Sequence, residues 1–110
     1  MPLSEKARIE VYVPDLPDES YQTLLHALVQ EFTYTFGGCT IIHSLDGAYL
    51  SELGDVVPDY INLIYTDVPL SFQANFETIS SYTDEVRRSV FAALDEEAVL
   101  VTAHPVFHSE

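Results

Sequence analysis

The stretch "EFTYTFGGCTIIHS", Glu31 to Ser44, contains the change of period that decides the fold. Upstream, Phe32 closes the series Tyr21, Leu24, Leu25, Leu28, Phe32, whose i, i+3, i+4, i+7, i+11 spacing makes one apolar stripe on a helix. Downstream of Gly37-Gly38, "CTIIHS" is short, apolar and β-branched, and reads as a strand. Glycine accepts positive φ at little cost, so the pair reads as the corner between helix and strand. A phosphate loop does not fit. The dinucleotide fingerprint needs three spaced glycines between a strand and a following helix, whereas this pair follows a helix and no P-loop lysine accompanies it.

Cys39 begins the strand. A reactive thiolate needs a basic neighbour or a helix N-terminus. His43 is four residues along, about 13 Å away at about 3.3 Å per residue. Cys39 therefore reads as a small buried residue.

Toward the N-terminus, "ARIEVYVP" alternates, with Ile9, Val11 and Val13 on one face and Arg8, Glu10 and Tyr12 on the other, until Pro14 ends it. Asp15, Asp18 and Glu19 then suit the positive end of the helix dipole, and Pro17 is tolerated in a first turn.

Toward the C-terminus, "LDGAYLSELGDVVPD" is punctuated by Gly47, Gly54 and Pro58. It reads as a long irregular hairpin connection with some strand around Ala48–Leu50. "YINLIYTDVP" reads as a strand with Ile61, Leu63 and Tyr65 facing inward and Tyr60, Asn62, Ile64 and Thr66 facing out. A second helical stripe follows: Phe76, Ile79, Tyr82 or Thr83, Val86, Val90 and Leu94. The acidic run Asp95–Glu97 reads as a solvated turn. "AVLVTAHPVFH" closes the chain as a strand in which Val99, Val101 and Ala103 oppose Leu100, Thr102 and His104.

The order β-α-β-β-α-β predicts a single α+β domain over residues 1–110, of ferredoxin-like split-βαβ architecture. Right-handed crossovers put both helices on one face of a four-stranded antiparallel sheet. The expected inward set is Ile9, Val11, Val13, Ile61, Leu63, Val99 and Val101. The face without helices then displays Arg8, Glu10, Tyr12, Tyr60, Asn62, Ile64, Leu100, Thr102 and His104. Tyrosines and aliphatics interleaved with polar groups suit a contact surface. Tyr12, Tyr60, Asn62, Ile64, Thr102 and His104 are its candidate ligand or interface residues.

Eighteen acids against four bases give a formal charge of −14. Such a surface repels phosphate backbones and anionic bilayers, which argues against nucleic-acid and membrane partners. The basic-aromatic signature of RNA-recognition sheets is missing as well. No apolar run approaches the roughly 18–20 residues of a membrane span, and the first residues lack a signal-peptide pattern. One cysteine cannot make an internal disulfide, and these features together predict a cytoplasmic protein.

No catalytic signature emerges. His104 and His108 are spaced as metal ligands are on a helix, but on a strand that spacing separates them by about 13 Å. Ser44-Leu45-Asp46 and Ser80-Ser81 lack the glycines of a nucleophile elbow. No cofactor pattern is present.

"FGGCT", "DGAYL" and "EAVLVTAHPVFH" resemble the pattern of a loose group of small uncharacterised bacterial proteins with a ferredoxin-like fold. Phe36, Gly37, Gly38 and Thr40 match the first element and Gly47 and Tyr49 the second, with Tyr49 where tryptophan is more usual. That resemblance implies a fold and transfers no catalytic residue. The element order is also similar to that of dimeric α+β barrel enzymes, which place substrate over the open face.

The expected function is therefore a non-catalytic module that forms a homodimer or docks a protein partner through its open sheet face. The rival is a cofactor-independent enzyme or small-molecule binder using that face as a pocket wall.

Overall fold

The computed structural model of the chain describes residues 2–94 and 99–109. The acidic run at Asp95–Glu97 lies outside the described residues. The element order is β1 (Leu3–Pro14), α1 (Glu19–Phe36), β2 (Thr40–Leu50), β3 (Val56–Val68), α2 (Phe76–Leu94) and β4 (Leu100–Ser109). The four strands form one antiparallel sheet in the order β2-β3-β1-β4. This is the ferredoxin-like α+β fold.

Helix α1 is bounded by two chemical devices. The Asp18 carboxylate accepts from the Ser20 N–H at 2.8 Å and satisfies one orphan donor of the first turn. At the other end Gly37 adopts φ 95°, and its N–H returns to the Thr33 carbonyl at 2.9 Å. The corner is then tied to the sheet, because the buried Thr66 hydroxyl donates to the Gly38 carbonyl at 2.7 Å. Cys39 is free, half-buried and packed against the core.

Leu24, Leu28 and Phe32 of α1 and Ile79, Val86 and Val90 of α2 are buried against Ala7, Ile9, Val11 and Val13 of the central strand. Val99, Val101 and Ala103 pack at the margin of this core. Phe76, the first residue of the expected α2 stripe, is instead exposed.

Register corrects the phase of β3. Val11 pairs with Ile64, Val13 with Asn62 and Ile9 with Thr66, so the even-numbered residues of β3 face the helices. Ile64 is fully buried in the core, and Asn62 is 4% exposed. Ile61, Leu63 and Tyr65, expected inward, lie on the open face. Tyr60, Asn62 and Ile64, expected outward, do not. A one-residue phase error exchanges every side chain of a strand between faces.

The connection between β2 and β3 is also more regular than its glycines suggested. Pairing runs from Asp46↔Tyr60 to Leu50↔Val56 and closes through a turn at Ser51–Asp55. Residues 56–60 pair with β2 alone, so residues 46–60 form a two-stranded arm reaching past the end of β1.

Candidate functional site on the open sheet face

The cross-strand register arranges the open face in rows. Leu100 opposes Tyr12, Tyr12 opposes Leu63 and Leu63 opposes Ile42, which makes one apolar row across all four strands. Leu100 is 56% exposed at the β4 end of that row, while Leu63 is buried in the middle. Leu45, Ile61, Val57 and Tyr49 continue the apolar surface along the arm.

The other half of the face is polar and internally paired. Glu10 accepts from Thr102 Oγ1 at 3.2 Å and from His104 Nε2 at 2.9 Å, with the Tyr12 hydroxyl at 3.5 Å. Loss of hydration, then the neighbouring Glu10 charge, pushes the Tyr12 phenol above its usual range. Arg8 grips Asp67 with two hydrogen bonds of 2.7 and 3.0 Å, and His108 Nε2 donates to Asp67 Oδ2 at 2.8 Å. The Arg8 guanidinium also lies 4.2 Å from the Tyr65 ring centroid. The hydrogen bond from Arg8 holds the Asp67 carboxyl below its ordinary value, with His108 adding to it.

Charge is distributed unevenly between this face and the rest of the molecule. Lys6 and Arg8 are two of the chain's four basic residues, and both belong to the open-face rows of β1. Glu10 and Asp67 balance them. The other two bases, Arg87 and Arg88, are on α2, each hydrogen-bonded to Asp84. The four-stranded part of the open face is therefore close to neutral on a chain of −14.

Of the six residues singled out from sequence, Tyr12, Thr102 and His104 meet here. Tyr60 is exposed on the helix side of the arm, Asn62 is buried at the arm's root, and Ile64 is core. Tyr12 and His104 thus do not converge with Tyr60 on a cavity. A cleft of about 300 Å³ lies instead between the helices, lined by Leu24, Ala27, Leu28, Tyr82, Val86 and Val90. Tyr82 there donates to Glu31 at 3.0 Å, and its phenol is pushed far up, first by burial.

His104 and His108 contact different carboxylates. Among the described residues no group of three or more His, Cys, Asp or Glu side chains is arranged to hold a metal ion. No helix of the described residues is long and apolar enough to cross a membrane.

Sequence reasoning missed Arg8, Asp67 and His108 as a cluster, and Leu63 as the centre of the apolar row. Asp59 and Asp67 share the parity of Ile61, Leu63 and Tyr65, and two carboxylates on one parity were the available sign that this side meets solvent.

No family model and no curated protein sequence matches the chain. Solved structures do match in shape. CutA1 from Oryza sativa superposes with a TM-score of 0.62 at 18% identity, covering 98% of this chain and 85% of that one. A phage SAM lyase in its apo state gives a TM-score of 0.60 at 15% identity, covering 97% and 86%. CPII, a nitrogen regulatory PII-like protein from Thiomonas intermedia K12 bound to ADP, AMP and bicarbonate, gives 0.52 at 15%, covering 99% and 100%. These likenesses establish the fold. They place an enzyme and a regulatory protein on the same scaffold, so function has to be argued from this chain's own surface.

Proposed function

We propose that this protein is a non-catalytic, self-associating module whose copies meet through the open sheet face. The observation that carries the reading is the coincidence of two properties on one surface. The row Leu100–Tyr12–Leu63–Ile42 offers apolar area with no covering layer among the described residues, and the surrounding charges cancel. Every other approach brings together surfaces of a strongly acidic chain, which costs Coulomb energy. A two-fold homodimer is the smallest closed assembly that covers the face.

The arm supports the same reading. A two-stranded ribbon alone is marginally stable in water, yet this one exposes Tyr49, Leu50, Val56 and Tyr60 along its length and Leu53, 90% exposed, at its tip. A second copy seated on the open face would also cover the Tyr49 side of the arm.

Sedimentation tests this directly. The wild-type chain should run above its single-chain mass of 12.3 kDa at micromolar concentration. Leu100→Asp, at an exposed position that folding tolerates, should reduce it to one chain, while Tyr34→Asp on the far side of α1 should leave the mass unchanged. A monomeric wild type would refute the proposal.

A second reading takes the same face as the wall of a small-molecule pocket completed by the partner copy. It is favoured by the Glu10–His104–Thr102 group beside Tyr12, and by adenine-containing ligands in CPII and in the phage lyase bound to S-methyl-5'-thioadenosine. Against phosphate ligands stands the engagement of Arg8, Arg87 and Arg88 with carboxylates. Calorimetric titration with AMP and S-methyl-5'-thioadenosine separates the two. Heat of binding that is lost in His104→Ala would support the pocket.

A further inference from the structure

We infer that Asp15, Ser44 and Asn62 form a latch that fixes the direction of the β2–β3 arm, and that self-association depends on it. The inference rests on the proposal that copies meet through the open face.

Between Ile42↔Leu63 and Leu45↔Ile61, β2 spends one more residue than β3. His43 and Ser44 together oppose Asn62, which is the geometry of a β-bulge. A bulge bends its strand and adds local twist. Here it lies at the root of the arm, where the sheet narrows from four strands to two. Ser44 takes φ 55°, the one positive φ outside glycine among the described residues. A serine is held there only if its surroundings supply compensation.

The compensation comes from three elements. The Ser44 N–H donates to Asn62 Oδ1 at 3.0 Å, so a buried side chain replaces the missing ladder partner. Ser44 Oγ donates to Asp15 Oδ2 at 2.7 Å, and Asn62 Nδ2 donates to Asp15 Oδ1 at 3.2 Å. The Asp15 backbone N–H closes the group by donating to the Tyr60 carbonyl at 2.8 Å. Asp15 belongs to the segment leaving β1, so the bulge is braced from outside the hairpin.

The register across this bulge decides what the arm presents. With Leu45 set opposite Ile61, the residues Leu45, Gly47 and Tyr49 fall on the open-face side. A regular ladder continued from Ile42 would set Ser44 opposite Ile61 and turn Leu45 and Tyr49 to the other side. Asn62 is thus a positioning residue: it selects the bulged register and with it the apolar continuation of the face.

The test measures arm direction and assembly separately. Spin labels at Glu52 and Gln30, introduced in a Cys39→Ala background, report the distance from the arm's turn to α1. Asn62→Leu and the milder Asp15→Ala should each broaden or shift that distance and shift the sedimenting species toward a single chain, with helical circular dichroism retained. Ser44→Gly, which keeps the backbone N–H and accepts positive φ, should retain the assembly. An unchanged distance in both latch variants overturns the inference. So does a displaced arm with an unchanged mass. If the wild type is itself monomeric, the self-association proposal fails, and the link between latch and assembly fails with it. The distance still decides whether the latch aims the arm.

Discussion

Asp67 shows how a single side chain on this face links packing to pH. It is half-buried, accepts two hydrogen bonds from Arg8 and one from His108, and titrates below its ordinary value of 3.8. A carboxyl whose folded pKa is depressed contributes stability that is fully present above its unfolded pKa. That contribution is lost as pH falls through the lower folded pKa. Asp67→Asn should therefore cost about 1–3 kcal/mol at neutral pH, the range for charge-assisted hydrogen bonds with a part-buried partner left behind. The difference from wild type should shrink below about pH 4. Urea unfolding at a fixed protein concentration over a pH series measures both. A variant as stable as wild type at pH 7 would mean that Arg8 finds equal compensation in solvent.

At the scale of elements, α1 depends on its ends. Asp18 caps its first turn by accepting from the Ser20 N–H, so Asp18→Ala should lower stability by about 1 kcal/mol, read as a reduced denaturation midpoint with an unchanged slope. A loss no larger than that of an exposed mid-helix substitution would show that Glu19 and solvent suffice.

This helix was legible in the sequence because its period, its acidic start and its glycine stop agree with one another. The phase of β1 and β4 was legible for a similar reason, since charged or polar residues alternate with aliphatics in "ARIEVYV". The phase of β3 was not. "YINLIYTDV" has apolar residues on both parities, so alternation alone leaves two solutions. Asn62 looks like a surface residue until Asp15 and Ser44, 47 and 18 positions away, supply its partners. Half of the expected site therefore moved with one strand, because cross-strand register is a long-range property. The arm was obscured by Gly47, Gly54 and Pro58, which read as loop punctuation. In the fold Gly54 takes φ 85° in the turn, and Pro58 sits in the arm, where β3 has one neighbouring strand and a missing N–H is tolerated.

For the whole molecule, net charge and the geometry of the open face make opposing demands on the proposed assembly. Each copy carries −14, and the open face between Lys6–Arg8 and Glu10–Asp67 is nearly neutral. Repulsion between copies then arises from charges outside the contact, acting over distances comparable to the screening length. That length falls from about 30 Å at about 0.01 M salt to about 3 Å at about 1 M. Apolar burial along the Leu100–Tyr12–Leu63–Ile42 row changes little over the same range. Added sodium chloride should therefore drive the chain toward the assembled state, with a weight-average mass rising between low and high salt. Leu100→Asp should stay at the single-chain mass throughout, since its defect lies inside the proposed contact. The opposite trend, assembly at low salt and dissociation at high salt, is the signature of an interface held by complementary charges. That outcome would move the contact away from this balanced face, toward a surface where carboxylates of one copy meet the few bases of another.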